Sequence, residues 1–165
     1  MKIVEEENKK ILIAYFSWDG NTKIIAQKIQ AQIKGDLFEI KCAKPYSSNY
    51  QTVLKEAKRE QKDRVRPKLV THVENMEEYN IIILGYPNWW GTIPMPIVSF
   101  LEEYDFSGKT ILPFCSHGGG GLGRSVSDIT KLVPNARVGS GLAIHYSGGS
   151  DLDSKIKKWL EENIQ

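Results

Sequence analysis

The chain has 165 residues, with 22 Lys plus Arg against 20 Asp plus Glu, 41% hydrophobic and 25% charged. This is ordinary globular usage at about the size of one domain, and a chain this long builds a core without metal or disulfide staples. Cys42 and Cys115 lie far apart in apolar stretches with no CxxC or Cys/His ligand spacing, so they read as buried free thiols, and no metal site is expected. The opening MKIVEEENKK lacks the apolar run of a leader, and no stretch approaches the roughly 20 apolar residues of a membrane span, which reads as a cytoplasmic protein.

The first apolar run, residues 11–16, has the length and near-continuous apolarity of a strand buried on both faces. Residues 22–34 then place Ile25, Ala26, Ile29 and Ile33 on one helical face, with Gly35 as a stop signal. A second strand fits residues 37–40. The excursion over residues 43–80 has room for a basic helix at 50–62 and a short extended piece around 67–70. A third strand at 81–84 leads to a helix at 94–103, whose first turn suits Pro94 and Pro96. A fourth strand at 110–114, a helix at 122–133 and a fifth strand at 138–144 follow. The last helix, 151–164, lines up Ile156, Trp159, Leu160 and Asn163 and can be capped by Ser150 or Asp151. Such alternation implies right-handed crossovers and a three-layer, doubly wound α/β domain around a mostly parallel five-stranded sheet. No internal repeat or linker divides it.

Charge is unevenly spread. Residues 55–68 hold seven bases against Glu56, Glu60 and Asp63, a local +4, while residues 71–108 hold six acids and no Lys or Arg. The molecule is therefore expected to be electrically polar. The basic run reads as a solvated helical face rather than a nucleic-acid site, because acids interrupt it and no aromatics are interleaved.

In a doubly wound sheet the ligand crevice lies beyond the carboxyl ends of the strands, where strand order reverses. Three loops fall there. Residues 17–22, SWDGNT, combine hydroxyls, a glycine and a helix N-terminus, which suits a phosphate cradle without the lysine of a triphosphate loop; read alone they also suit a helix cap. Residues 85–94 contain Trp89 and Trp90, which cannot both enter the core from an extended loop, so one is offered to solvent or to a flat ligand. Residues 115–123 bring four consecutive glycines after His117, as a close-approach wall or as a hinge.

Together these loops resemble the flavodoxin family, in particular a subgroup with an SxxGNT loop, a YPxWWGTxPxP loop and a glycine-rich loop after the fourth strand. Here they read Ser17 to Thr22, Tyr86 to Pro96 and Ser116 to Gly123. The resemblance runs from Ile11 to the C-terminus. It implies one flavodoxin-like domain over residues 1–165 with strand order 2-1-3-4-5 and FMN at the switch between the first and third strands. It further implies that Ser17, Trp18, Asp19, Gly20, Asn21 and Thr22 hold the phosphate. Pro87, Asn88, Trp89, Trp90 and Gly91 would border one side of the flavin ring, and Ser116, His117, Gly118 and Gly119 the other. Gly91 would supply a peptide that reorients on reduction. Nearby aromatics and acids would lower the potential of the second electron.

No residue is assigned a catalytic role by this reading. The resemblance implies a one-electron carrier between a flavodoxin reductase and low-potential acceptors, as a monomer or weak homodimer, with no nucleic-acid or membrane partner. The acids of residues 71–108 are expected to flank the ring and steer a basic redox partner. An FMN-dependent NAD(P)H:quinone or nitro reductase is the alternative, disfavoured because no basic cluster lies near the flavin loops in the sequence. A non-redox flavin-sensing or scaffolding module is a third possibility.

Overall fold

A computed structural model describes residues 9–164; most of the N-terminal stretch read above for a leader lies outside it. The elements are β1 (Ile11–Tyr15), α1 (Asn21–Gln32), β2 (Asp36–Glu39), α2 (Tyr50–Asp63), a 3-10 turn (Met76–Glu78), β3 (Ile81–Pro87), α3 (Met95–Glu103), β4 (Thr110–His117), α4 (Ser125–Leu132), β5 (Arg137–Val138), β6 (Leu142–His145) and α5 (Leu152–Asn163). The strands are parallel in the order β2-β1-β3-β4-β5, with β6 also paired to β4. The doubly wound architecture and the strand order expected from the sequence are both found.

Alternation along the strands sorts the core into two layers. Leu12 and Ala14 of β1, Ile82 and Leu84 of β3 and Ile111 of β4 face Ile97, Phe100 and Leu101 of α3 and Ile129 of α4. Ile11, Ile13, Ile81, Ile83, Leu112 and Phe114 face Ile25 and Ile29 of α1 and Ile156 and Trp159 of α5. Each large aliphatic side chain so buried contributes about 1.5–3 kcal/mol by leaving water. Covered on both faces, β3 is buried over its whole length, which is why continuous apolar runs marked the central strands.

Both β3 and β4 run past their apolar runs, to Pro87 and His117, because the pairs Gly85↔Phe114, Tyr86↔Cys115 and Pro87↔Ser116 continue the ladder. The extension needs a glycine at 85, since the Phe114 ring passes 2.0 Å from where a Cβ would stand.

The fifth strand, expected to be continuous over 138–144, is split. Ile111 pairs with Val138 and Phe114 with Leu142, so Leu112 and Pro113 oppose Gly139, Ser140 and Gly141, a bulge of one residue. Its cause lies on β4. The carbonyls of Ile111 and His117 accept from Gly139 and Tyr146 at 2.9 and 2.7 Å, so the backbone of Pro113 points to the same side, and proline has no N–H to give the ladder there. α5 closes the gap: Trp159 Nε1 donates to the Ser140 carbonyl at 2.8 Å, and Asn163 Oδ1 accepts from Ser140 N at 3.2 Å.

Helix ends depart modestly from the sequence reading. α1 stops at Gln32 with Ile33 already extended, and α4 begins only at Ser125 because the glycine-rich loop is still closing before it. Asp151 stands at the start of α5 without a side-chain cap bond, whereas Asn49 caps α2 by accepting from Thr52 N at 3.0 Å. The extended piece around 67–70 is a single antiparallel bridge between Leu69 and Cys42. Both cysteines are free, but only Cys115 is buried and Cys42 is half-buried. Burial pushes the Cys115 thiol up to about 12, and burial with the nearby Glu60 pushes Cys42 to about 11, so neither is a ready nucleophile.

Candidate functional site

Beyond the carboxyl end of β1 the chain turns through residues 17–20 into α1. Gly20 takes a left-handed φ of 99° at the helix start. Asp19 turns back on Asn21, its Oδ1 accepting from Asn21 N at 3.0 Å and its Oδ2 from the Asn21 side-chain amide at 2.9 Å, and Ser17 Oγ accepts from Lys23 N at 3.2 Å. The amides of Trp18, Asp19, Gly20 and Thr22 have no acceptor among the described residues. Unpaired N–H groups at a helix N-terminus form an anion cradle. Thr22 is fully buried, and its hydroxyl meets Ser116 Oγ at 2.8 Å, which ties this loop to the end of β4.

After β3, Trp89 to Thr92 form a tight turn, with Trp89 N donating to Thr92 O at 3.0 Å and Thr92 N returning to Trp89 O at 3.4 Å. Trp90 and Gly91 occupy its centre at φ 54° and 84°, the two left-handed positions of a type I′ turn. The two tryptophans diverge, as the loop demands. Trp89 packs edge-on against Phe16 and Tyr46, with ring centroids 5.4 and 5.0 Å apart. Trp90 stays 43% exposed and lies against α2, its Nε1 donating to the Leu54 carbonyl at 2.9 Å while Lys58 Nζ sits 4.4 Å over its ring.

Asn88 couples this turn to the glycine-rich loop. Its Oδ1 accepts from Gly91 N at 2.9 Å and its side-chain amide donates to the Gly121 carbonyl at 2.8 Å. The Gly91 carbonyl accepts from Arg124 N at 2.9 Å. Both peptides flanking Gly91 are thus held, and reorientation there requires breaking the bond to Asn88.

At the end of β4, His117 Nδ1 accepts from Gly119 N at 3.0 Å. The His117 and His145 rings stand 5.6 Å apart, and Tyr146 packs 4.3 Å from His145 and over Gly118. Burial, and secondarily His145, lower the pKa of His117.

These loops enclose a cleft of about 260 Å³ at the switch point, close to the lower end of the roughly 300–1,000 Å³ usual for small-molecule sites. Trp18, Asp19, Asn21, Pro87, Asn88, Trp89, Trp90, Ser116, His117 and Gly118 line it, so all three loops singled out in the sequence converge. Ser17, Gly20, Thr22, Gly91 and Gly119 do not line it: Thr22 is turned into the fold, and Gly91 is turned toward Arg124. One wall was missed. Tyr50, Val53, Leu54 and Ala57 of α2, with Tyr146, complete the cleft. The apolar stripe Val53, Leu54 and Ala57 in an otherwise charged helix was the available signal; Tyr146 offered none.

Two electrostatic expectations are overturned. The acids of residues 71–108 do not flank the cleft. Glu78 belongs to the turn before β3, and Glu102 and Glu103 to the C-terminal end of α3, which places them at the opposite end of the sheet; there Glu78 pairs with Lys10, Glu102 with Arg66 and Glu103 with His72. Conversely, a basic cluster does border the site, because α2 brings Lys58 onto Trp90.

Sheet order and cleft position define a doubly wound α/β protein with its cleft at a topological switch point. A family model for flavodoxin matches residues 10–163, and the chain belongs to the flavodoxin family. No curated protein matches it. Among solved structures, a candidate flavoprotein from Bacteroides eggerthii is 32% identical with a TM-score of 0.85, covering 96% of this chain and 99% of its own. A flavoprotein from Lactobacillus acidophilus, solved in complex with FMN, is 26% identical with a TM-score of 0.75, covering 92% and 98%. Oxidised flavodoxin 2 from Bacillus cereus shares the fold at 21% identity and a TM-score of 0.60, covering 93% and 99%.

Proposed function

We propose that the cleft binds FMN and that the chain carries electrons between a reductase and low-potential acceptors. The observation that carries this reading is the junction of two unlike surfaces at the switch point: unpaired amides at the start of α1, and an aromatic wall beside them. An anionic phosphate suits the first and a flat apolar ring the second. The FMN complex of the Lactobacillus relative supports the same assignment.

FMN, when bound, supplies a ring that takes up and returns electrons. The chain's own residues do the rest. The amides of Trp18 and Asp19, which line the cleft, would hold the phosphate without a basic side chain, and Ser17 and Asn21 brace that loop. Pro87, Asn88 and Trp90 border the ring on one side and His117 and Gly118 on the other, with Val53, Leu54 and Ala57 keeping water from its edge. Asn88 fixes the distance between the two walls through its bonds to Gly91 and Gly121. In this reading the chain works as one cytoplasmic domain.

The test is titration with FMN and with riboflavin, followed by anaerobic addition of NADPH and NADH to the loaded protein. Tight FMN binding, weaker riboflavin binding and a flavin spectrum that persists are expected. Rapid bleaching by NAD(P)H alone would replace the carrier with an NAD(P)H:quinone or nitro reductase.

A further inference from the structure

Lys55, Lys58, Arg59 and Lys62 follow the i, i+3, i+4, i+7 spacing of a single face of α2. All are exposed, and among the described residues none lies within ion-pair distance of an acid. The acids that interrupt this run in the sequence are turned elsewhere. Glu56 accepts from Ser47 N at 2.9 Å, and Glu60 accepts from the Tyr46 hydroxyl at 2.5 Å, both toward the interior. What the sequence shows as mixed charge is therefore a cationic face in space, with Asp63 at its end.

These bases rim an open groove of about 550 Å³ whose apolar floor is Trp90 and Leu54. Both residues also line the cleft, so Trp90 is a partition shared by groove and cleft. Its exposed indole is held by the bond to Leu54, in a left-handed conformation that a bulky residue seldom takes. An exposed tryptophan ringed by Arg and Lys has the composition of a protein-binding hot spot with a charged rim. The acids Glu78, Glu102 and Glu103 lie at the far end of the sheet, paired with Lys10, Arg66 and His72.

We propose that the α2 face over Trp90 is the docking surface for an acidic protein partner, which it seats against the mouth of the cleft. The role of that partner as an electron donor or acceptor rests on the FMN reading above; the docking surface does not. A protein fits better than a dinucleotide: the bases are spread over two helical turns as separate point charges along an open groove, with no enclosing wall to hold a pyrophosphate. Such a row steers an acidic surface into contact and loses its effect as salt rises.

The test measures binding of an acidic plant-type [2Fe–2S] ferredoxin to the chain, with and without FMN, at low and high ionic strength, with basic cytochrome c for comparison. The wild type is expected to bind ferredoxin in preference to cytochrome c and to weaken as salt rises. The variant Lys55→Glu/Lys58→Glu/Lys62→Glu is expected to lose roughly tenfold or more in affinity at low salt. The milder Lys58→Gln/Lys62→Gln should show an intermediate loss, and guards against a charge-reversed chain that does not fold. Trp90→Ala should weaken binding without changing its salt dependence. Ferredoxin affinity unchanged in the Gln and Glu variants, or no ferredoxin binding by the wild type, overturns the proposal; so does NADPH binding that these variants abolish. Ferredoxin binding that survives while FMN fails to bind sinks the carrier reading and leaves the docking surface standing.

Discussion

Gly123 and Gly91 meet backbone to backbone: a Cβ on Gly123 would stand 2.2 Å from the Gly91 carbonyl oxygen, which also accepts from Arg124 N at 2.9 Å. Two loops 32 positions apart in the sequence are thereby packed as closely as main chains allow, and Asn88 stitches the same pair from the cleft side. The turn after β3 and the glycine-rich loop are thus joined by direct main-chain contact and by Asn88.

Gly123→Ala should therefore do more damage than its left-handed φ of 54° alone requires. Gly121, at φ 63° with nothing within 4 Å of its Cβ position, is the control: alanine there carries the conformational cost without the collision. That cost is about 1–3 kcal/mol. The expectation is a lower melting temperature for Gly121→Ala, a further drop for Gly123→Ala, and weakened FMN binding in Gly123→Ala. Equal melting temperatures for the two variants would count against the contact.

The adjacent tryptophans should separate into a structural and a site residue. Trp89 is packed edge-on between Phe16 and Tyr46, so Trp89→Ala should cost about 3 kcal/mol, the low end for removing a large aromatic, measured by urea unfolding. Trp90, 43% exposed, should change stability by about 1 kcal/mol or less on truncation. It should nonetheless weaken FMN binding, read by flavin fluorescence. The opposite ranking would reverse their assignments.

Much of this was legible in the sequence, for identifiable reasons. Continuous apolar runs announced β1 and β3 because parallel strands covered on both faces have no polar side. Loop composition marked the three cleft loops because a helix N-terminus, a turn and a close backbone approach each demand particular residues. The broken fifth strand was hidden because its cause, the missing N–H of Pro113, lies on the neighbouring strand and acts across the ladder. The α2 wall was signalled only by the apolar stripe Val53, Leu54 and Ala57, since the contact of Leu54 with Trp90 forms only on folding. Charge misled most. Acids adjacent in sequence to the β3 loop are carried away from it, since α3 runs back toward the start of the sheet, while Glu56 and Glu60 turn inward and leave a basic face behind.

Asp19 should oppose the phosphate it stands beside. Its carboxylate is spent on Asn21, and that bond occupies a first-turn N–H while adding negative charge at the helix start. Asp19→Asn keeps an acceptor for Asn21 N and removes the charge. An exposed charge pair is worth about 0.2–1 kcal/mol, so removing the carboxylate's repulsion should raise FMN affinity by about 1.4- to fivefold. Riboflavin, which lacks the phosphate, should bind both proteins alike. An equal gain for the two ligands would mean that Asp19 acts on the shape of the cleft instead.

The acid side of the stability profile should carry the signature of His117. Burial, and then the neighbouring His145, lower its pKa from the usual 6.5. Its Nδ1 also accepts from Gly119 N, so a proton on that nitrogen would displace the loop. With the folded pKa below the unfolded one, the unfolded chain takes up the proton first. The stability due to the neutral ring is therefore fully present above the unfolded pKa, near 6.5, and is lost as pH falls through that value toward the folded pKa. His117→Asn keeps a side-chain acceptor for Gly119 N and cannot titrate. Urea midpoints measured from neutral pH downward should fall more steeply for the wild type than for His117→Asn over this window. Parallel profiles would show that His117 titrates alike in the folded and unfolded chains.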